Sequence, residues 1–365
     1  MLYTKEMWRA LLAEAKGNAR LDEIAEIALE APLYTVTRKM HTLPKGGVPN
    51  DYVSIGPYWW PDPEKEDGLP WIRRDGEINP VFYEYDSKTI FDFTTDTGLL
   101  MLAGMANERK DLLDRAVQQL ESWFINPKTR MNPHMRFGQF VPGRAEGRCF
   151  GIIDGKELYW LFELMELMPF NDTWTPGKLN AIKVWAAQML NWLLTDELGV
   201  TEGNTLNNHA ISYDCMVAMF ALFIGDEAFA RKHLQERSIP RIAQQYAADG
   251  SLPLELDRTD SKGYSTFTEM CFLQAAVLGK KLGVTFPDEM LRKGLTWLEE
   301  HIYSPDWKWA QIVPYKRISP MVYQFAGMFW NDQQLLDKAQ KECADEPWRK
   351  MIVFRSVRYK TVQGG

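Results

Sequence analysis

The chain has 365 residues, 45 % hydrophobic and 25 % charged, with a formal net charge of −7 and a sequence pI near 5.5. That balance belongs to a water-soluble globular chain with enough apolar side chains for a large core. It excludes a general binder of nucleic acid or of anionic membrane surfaces, which would carry a basic patch.

The first 30 residues put Trp8, Leu11, Leu12, Ala15, Ile24, Ile27 and Ala28 at helical spacings, with a Gly-Asn break at 17–18. Their charges recur every few residues and leave no apolar stretch for a signal peptide, and no later run is long enough for a membrane span. The chain as written therefore reads as cytoplasmic, or as periplasmic or secreted where a leader has been removed. Further three-and-four rhythms predict helices near 87–106, 110–124, 155–168, 177–194, 208–224, 226–247, 265–282, 287–302 and 320–341. Only "YVSI" at 52–55 reads as a strand, so helix far exceeds its ordinary share. Neither a fixed-period repeat nor a Ser/Gly linker divides the chain. The expected fold is all-α: one domain over 1–365, an α/α toroid of antiparallel helix pairs. The irregular, aromatic-rich segments 32–86 and 126–153 would line its cleft.

Cys149, Cys215, Cys271 and Cys343 are widely spaced without a CxxC pair, and read as free thiols. His41, His134, His209, His233 and His301 form no HxxxH or HExxH pattern, and "DRTDSKG" has the wrong spacing for a calcium loop. Neither a metal nor another cofactor is expected.

Four segments carry candidate chemistry. In "TEGNTLNNHAISYDCMVAMFALFIG", 201–225, an apolar helix opens on Asn207, Asn208 and His209. Free N–H groups and the positive end of the dipole favour an anion there, and Asn208 with His209 would grip a carboxylate. The bland alternative is an Asn cap followed by a structural His. In "LELDRTDSKGYSTF", Tyr264 stands at a helix start near Arg258 and Lys262. Neighbouring cations would pull its phenol pKa down toward that of a general base; a Tyr half-buried at a loop corner is the alternative. In "NPHMRFGQFVPGRAEGRCFGIID", Arg136, Arg144 and Arg148 suit a planar oxyanion, with His134 beside them, unless they are solvated surface residues. Asp154 reads as the cap of the next helix. In "HTLPKGGVPNDYVSIGPYWWPDP", prolines hold Tyr58, Trp59 and Trp60 extended, as platforms for sugar rings or as a plug of the toroid, with His41 nearby. Together these residues describe a cleft for an acidic carbohydrate.

"YVSIGPYWWPDP", "NNHAISYD" and "LELDRTDSKGYSTF" resemble the alginate lyase superfamily of all-helical polysaccharide lyases, in order and over about 32–330. "GPYWWPDP" and "GRAEGRCFGIID" look closer to a branch linked to glucuronan and alginate cleavage. The resemblance implies an α/α toroid and β-elimination at a uronic acid. It places Asn208 and His209 by the substrate carboxylate, Tyr264 in proton transfer and Arg258 nearby. The Arg258–Tyr264 interval of six is one shorter than in the small mannuronate lyases, which leaves the role of Arg258 open. The implied partner is an acidic polysaccharide or oligosaccharide, with no nucleic acid and no membrane; the oligomeric state is not legible. Two rivals remain. A glycoside hydrolase would need a carboxylate pair, Asp154 with Asp214 or Asp96, although Asp214 reads as a helix-surface residue. A non-catalytic protein would bind acidic sugars in the same cleft.

Overall fold

The computed structural model describes residues 2–39 and 41–352. Short polar side chains open its helices. Thr4, Asn18, Thr175, Asn207, Asp260 and Asp332 each accept from an N–H of the first turn, a contribution of about 1 kcal/mol apiece. Among the described residues this gives α1 Lys5–Ala15, α2 Ala19–Leu29, α3 Asp86–Ala106, α4 Lys110–Leu120, α5 Lys156–Leu167, α6 Pro176–Thr195, α7 Glu197–Gly203 and α8 Asn208–Ile224. There follow α9 Glu227–His233, α10 Ile239–Gln245, α11 Pro253–Leu256, α12 Ser261–Leu282, α13 Asp288–His301, α14 Pro320–Trp330 and α15 Gln333–Lys341.

Helices α3, α5, α8 and α12 are buried along most of their length, polar side chains included, as inner helices must be. With α14 they form an inner row in which neighbours in sequence touch in space. Outside it, α4 backs α3, α6 backs α8, α13 backs α12 and α15 backs α14. This is the expected α/α toroid. No helix of the described residues is long and apolar enough to cross a membrane.

Two expected helices carry a π turn and a third is interrupted. The segment 110–124 leaves α geometry at Leu120 and closes as a π turn over Glu121–Ile125, taking consecutive Trp123 and Phe124 both into the core. The segment 226–247 is helical from Glu227 to Gln245 but carries a π turn over Leu234–Ser238 between α9 and α10, just before Pro240, which has no N–H for the ladder. The segment 320–341 breaks at Asn331, left-handed at φ 55°, and Asp332 caps the new start.

"YVSI" does form a strand. β1 (Val53–Ile55) lies parallel to β4 (Phe137–Phe140), while β2 (Trp59–Trp60) and β3 (Ile72–Arg73) pair antiparallel. The partner strand β4 has no period-two signal and was not expected. The contact between the two long loops continues beyond the strands. Gly56 N donates to Phe140 O at 2.9 Å and Trp71 N to Pro142 O at 3.1 Å. A Cβ on Gly151 would lie 2.2 Å from the Gly138 carbonyl carbon, so only bare backbones allow this approach.

Two aspartates correct their expected places. Asp154 caps nothing: it is buried in a 3-10 turn and accepts from Tyr52 Oη at 2.9 Å and Ser54 Oγ at 3.2 Å. Asp214 is fully buried rather than on a helix surface, and accepts from Arg241 Nε at 2.7 Å, Ser238 Oγ at 3.0 Å and His233 Nε2 at 3.1 Å. His233 is accordingly buried too. Arg241 also donates to Gly203 O at 2.6 Å, which closes the C-terminal end of α7. The four cysteines are buried free thiols.

Candidate active site

The starts of α8, α12 and α14 and the two long loops surround a cleft of about 1310 Å³. Tyr264 reaches it from the first turn of α12. Asp260 accepts from Gly263 N at 3.3 Å. A Cβ on Gly263 would fall 2.3 Å from Asp260 Oδ2, so glycine is needed for this cap. The Tyr264 hydroxyl accepts from Arg258 Nη2 at 2.9 Å and shares a hydrogen bond of 2.7 Å with the Tyr58 hydroxyl. The Arg258 guanidinium also lies 3.9 Å from the Tyr264 ring centroid.

Asp75 holds that guanidinium as a fork, accepting from Arg258 Nη2 at 3.0 Å and Nε at 3.2 Å. Burial alone would raise the Asp75 carboxyl, but the hydrogen bonds and charge of Arg258, with Arg73 and Thr259, hold it at about 2. The Tyr264 phenol runs opposite to expectation. Burial pushes it above its usual value and Tyr58 pushes the same way, while Arg258 pulls down against both. One cation, shared with Asp75, does not outweigh desolvation.

The lining continues at the start of α8, which packs on α12. Asn207 is the cap, and Asn208 is turned inward, fully buried, with its backbone N–H and Nδ2 donating to Glu255 at 2.6 and 2.8 Å. His209 Nδ1 bonds Glu202 Oε1 at 2.6 Å, and the ring stands edge-on to Phe150 at 5.0 Å. Glu202 thereby fixes the ring, and no group of the described residues engages Nε2. Arg148 is sandwiched, 5.4 Å from the Trp59 ring centroid and 4.7 Å from that of Phe150. Among the described residues no carboxylate forms an ion pair with it; burial lowers its pKa from the usual guanidinium value.

Tyr58, Trp59, Arg148, Asn208, His209, Arg258 and Tyr264 thus share one cleft. The other candidates are committed elsewhere. His41 stacks on Tyr85 and faces Glu84, His134 pairs with Asp51, and Arg136 pairs with Asp196. Arg144 donates to Trp71 O at 2.5 Å and lies over the Trp59 ring, 5.3 Å from its centroid, while Trp60 donates to Glu77 O and lies under Arg74. Lys262 sits over Trp307, outside the cleft lining. Each found a carboxylate, carbonyl or ring that its own segment does not contain.

Asp75, Glu202, Glu255, Phe150 and Gln139 were not foreseen. Glu202 is seven residues before His209 and readable in principle as an acid near a His; Asp75 and Glu255 lie 183 and 47 positions from their partners. Gln139 lines the cleft in left-handed backbone at φ 48°, which no local motif announces. Among the described residues, no group of three or more His, Cys, Asp or Glu is placed to hold a metal ion.

The family model "Alginate lyase" matches residues 35–296. The chain belongs to the alginate lyase family. A crystal structure of an alginate lyase from Bacteroides ovatus is 30 % identical, with a TM-score of 0.86 over 93 % of this chain and 94 % of that one. Alginate lyase A1-III in complex with a tetrasaccharide is 13 % identical, with a TM-score of 0.51 over 89 % and 90 %, a likeness of fold. No curated protein matches the sequence. As a member of the alginate lyase family the chain is a polysaccharide lyase for alginate-like substrates, and its substrate is an acidic oligosaccharide or polysaccharide.

Proposed function

We propose that the cleft cleaves a polymer rich in mannuronate or glucuronate by β-elimination, with Tyr264 as both base and acid. The observation that carries this reading is the Tyr264 hydroxyl in the cleft, 2.9 Å from Arg258 Nη2. The sugar carboxylate lies against Asn208 and His209, whose donors take up the charge that builds on it. Tyrosinate 264 removes H5; the C5–H5 electrons form the C4–C5 double bond, the C4–O4 bond breaks, and the phenol returns its proton to O4. In mannuronate and glucuronate H5 and O4 share a ring face, so one phenol serves both steps. Arg258, held by Asp75, stabilises the tyrosinate, and Trp59 with Arg148 supports the neighbouring sugar and its charge. A hydrolase fits less well, because Asp154 is tied to Tyr52 and Ser54 while Asp96 and Asp214 are buried outside the cleft lining.

The test is ultraviolet absorbance of the unsaturated product on glucuronan, polymannuronate, polyguluronate and polygalacturonate, with Tyr264→Phe beside the wild type. Expected is a rise on polymannuronate or glucuronan that the variant abolishes; a rise surviving in the variant removes Tyr264 as base. Because the resting phenol is held above its usual value, its base form grows with pH, so kcat/KM should climb from neutral into alkaline solution. A profile that falls over that range contradicts the assignment.

A further inference from the structure

Glu255 is 1 % exposed and spends both carboxyl oxygens on one residue, accepting from Asn208 N at 2.6 Å and Asn208 Nδ2 at 2.8 Å. An ionised carboxylate can only accept, so it dictates which end of the amide it meets. The other end, Asn208 Oδ1, is buried without a partner although Asn208 lines the cleft. In this orientation the amide presents an acceptor where the proposed function needs a donor for the sugar carboxylate. Burial also lifts the Glu255 carboxyl above the usual glutamate range, against the Asn208 bonds and the charges of Arg258 and His209. Arg258 lies on its own loop and His209 on α8; α12, packed on α11, brings Tyr264 to Arg258.

We propose that Glu255 takes a proton from solvent as the uronate enters, and that its hydroxyl then donates to Asn208 Oδ1, turning the amide so that Nδ2 donates to the sugar carboxylate. The Asn208 N–H keeps its bond to the second oxygen. The incoming anion drives the uptake, since two carboxylates close together in a buried site disfavour double ionisation. The proton leaves again with the product. This makes Glu255 a positioning residue, and it rests on the reading that Asn208 meets the substrate carboxylate.

Glu255→Gln mimics the neutral acid: its NH2 donates to Oδ1 and its oxygen accepts from the Asn208 N–H. Calorimetry of a saturated mannuronate trisaccharide binding to Tyr264→Phe, in buffers of different ionisation enthalpy, reads the protons taken up. Expected is uptake near neutral pH that falls when E255Q is added, with affinity kept within about threefold, whereas E255A weakens binding by about tenfold or more. In turnover, wild-type KM should rise with pH and E255Q should flatten that rise. Equal uptake with and without E255Q, an unflattened KM profile, or E255Q as weak as E255A would overturn the proposal. Should E255A fail to fold, the E255Q uptake and KM profiles decide alone. A wild type that makes no unsaturated product defeats the lyase mechanism itself; one that does, with the amide results negative, defeats only Glu255.

Discussion

Two arginine–aspartate pairs divide the molecule instructively. Around Asp214, Arg241, His233 and Ser238 meet both carboxyl oxygens, and the cluster is sealed between α8, the π turn and α10. Around Asp75, Arg258 makes a similar fork, but the same Nη2 also donates to a phenol facing a cleft. Sealing and saturation make the first pair a strut. What makes the second a site is the partner that is not a carboxylate, and the space beside it.

Three variants break or sharpen that contrast. Asp214→Ala leaves the buried Arg241 guanidinium without its carboxylate and should cost about 3–5 kcal/mol in denaturant unfolding, with kcat of the protein that remains folded close to wild type. A loss of kcat at unchanged stability would make the strut part of the site. Arg258→Met should weigh on turnover instead, lowering kcat/KM by about 10²–10³-fold while stability at neutral pH falls by about 1–2 kcal/mol, less than for the sealed pair. It also has a pH signature. Asp75 is held at about 2 against 3.8 for the free side chain, so its contribution is present above 3.8 and fades as pH falls through 2. Acid unfolding of Arg258→Met should lack that limb. The smallest effect is at the rim: Trp59→Ala should raise KM by about 2–10-fold with kcat little changed, as removal of a stacking face and of the Arg148 support predicts.

Much of the frame was legible because it is local. Asn207 before an apolar run announced α8 at Asn208–Ile224, and the same rhythm gave α6 and α13 within a residue or two. Where two local rules met, one lost. A π turn before Pro240 shifted the register of 226–247 without ending the helix, and the positive φ of Asn331 split 320–341. The cleft was legible in its chemistry and not in its pairing. Sequence does not distinguish Arg136, which has a carboxylate waiting at Asp196, from Arg148, which has two rings instead. The direction of the Tyr264 phenol failed for the same reason: the cations were visible in the sequence, while Tyr58 and the depth of burial depended on the fold.

The parallel seam between β1 and β4 bears on how such a cleft changes over time. It joins two loops that are remote in sequence, through main-chain bonds at Gly56–Phe140 and Trp71–Pro142 and the bare contact of Gly138 with Gly151. Those bonds belong to the backbone and survive almost any exchange of the side chains beside them. The wall that carries Trp59 and Arg148 can therefore be rewritten, ring for ring and charge for charge, without loosening its footing. Selection for a new sugar would act on the letters of this wall and leave the seam alone.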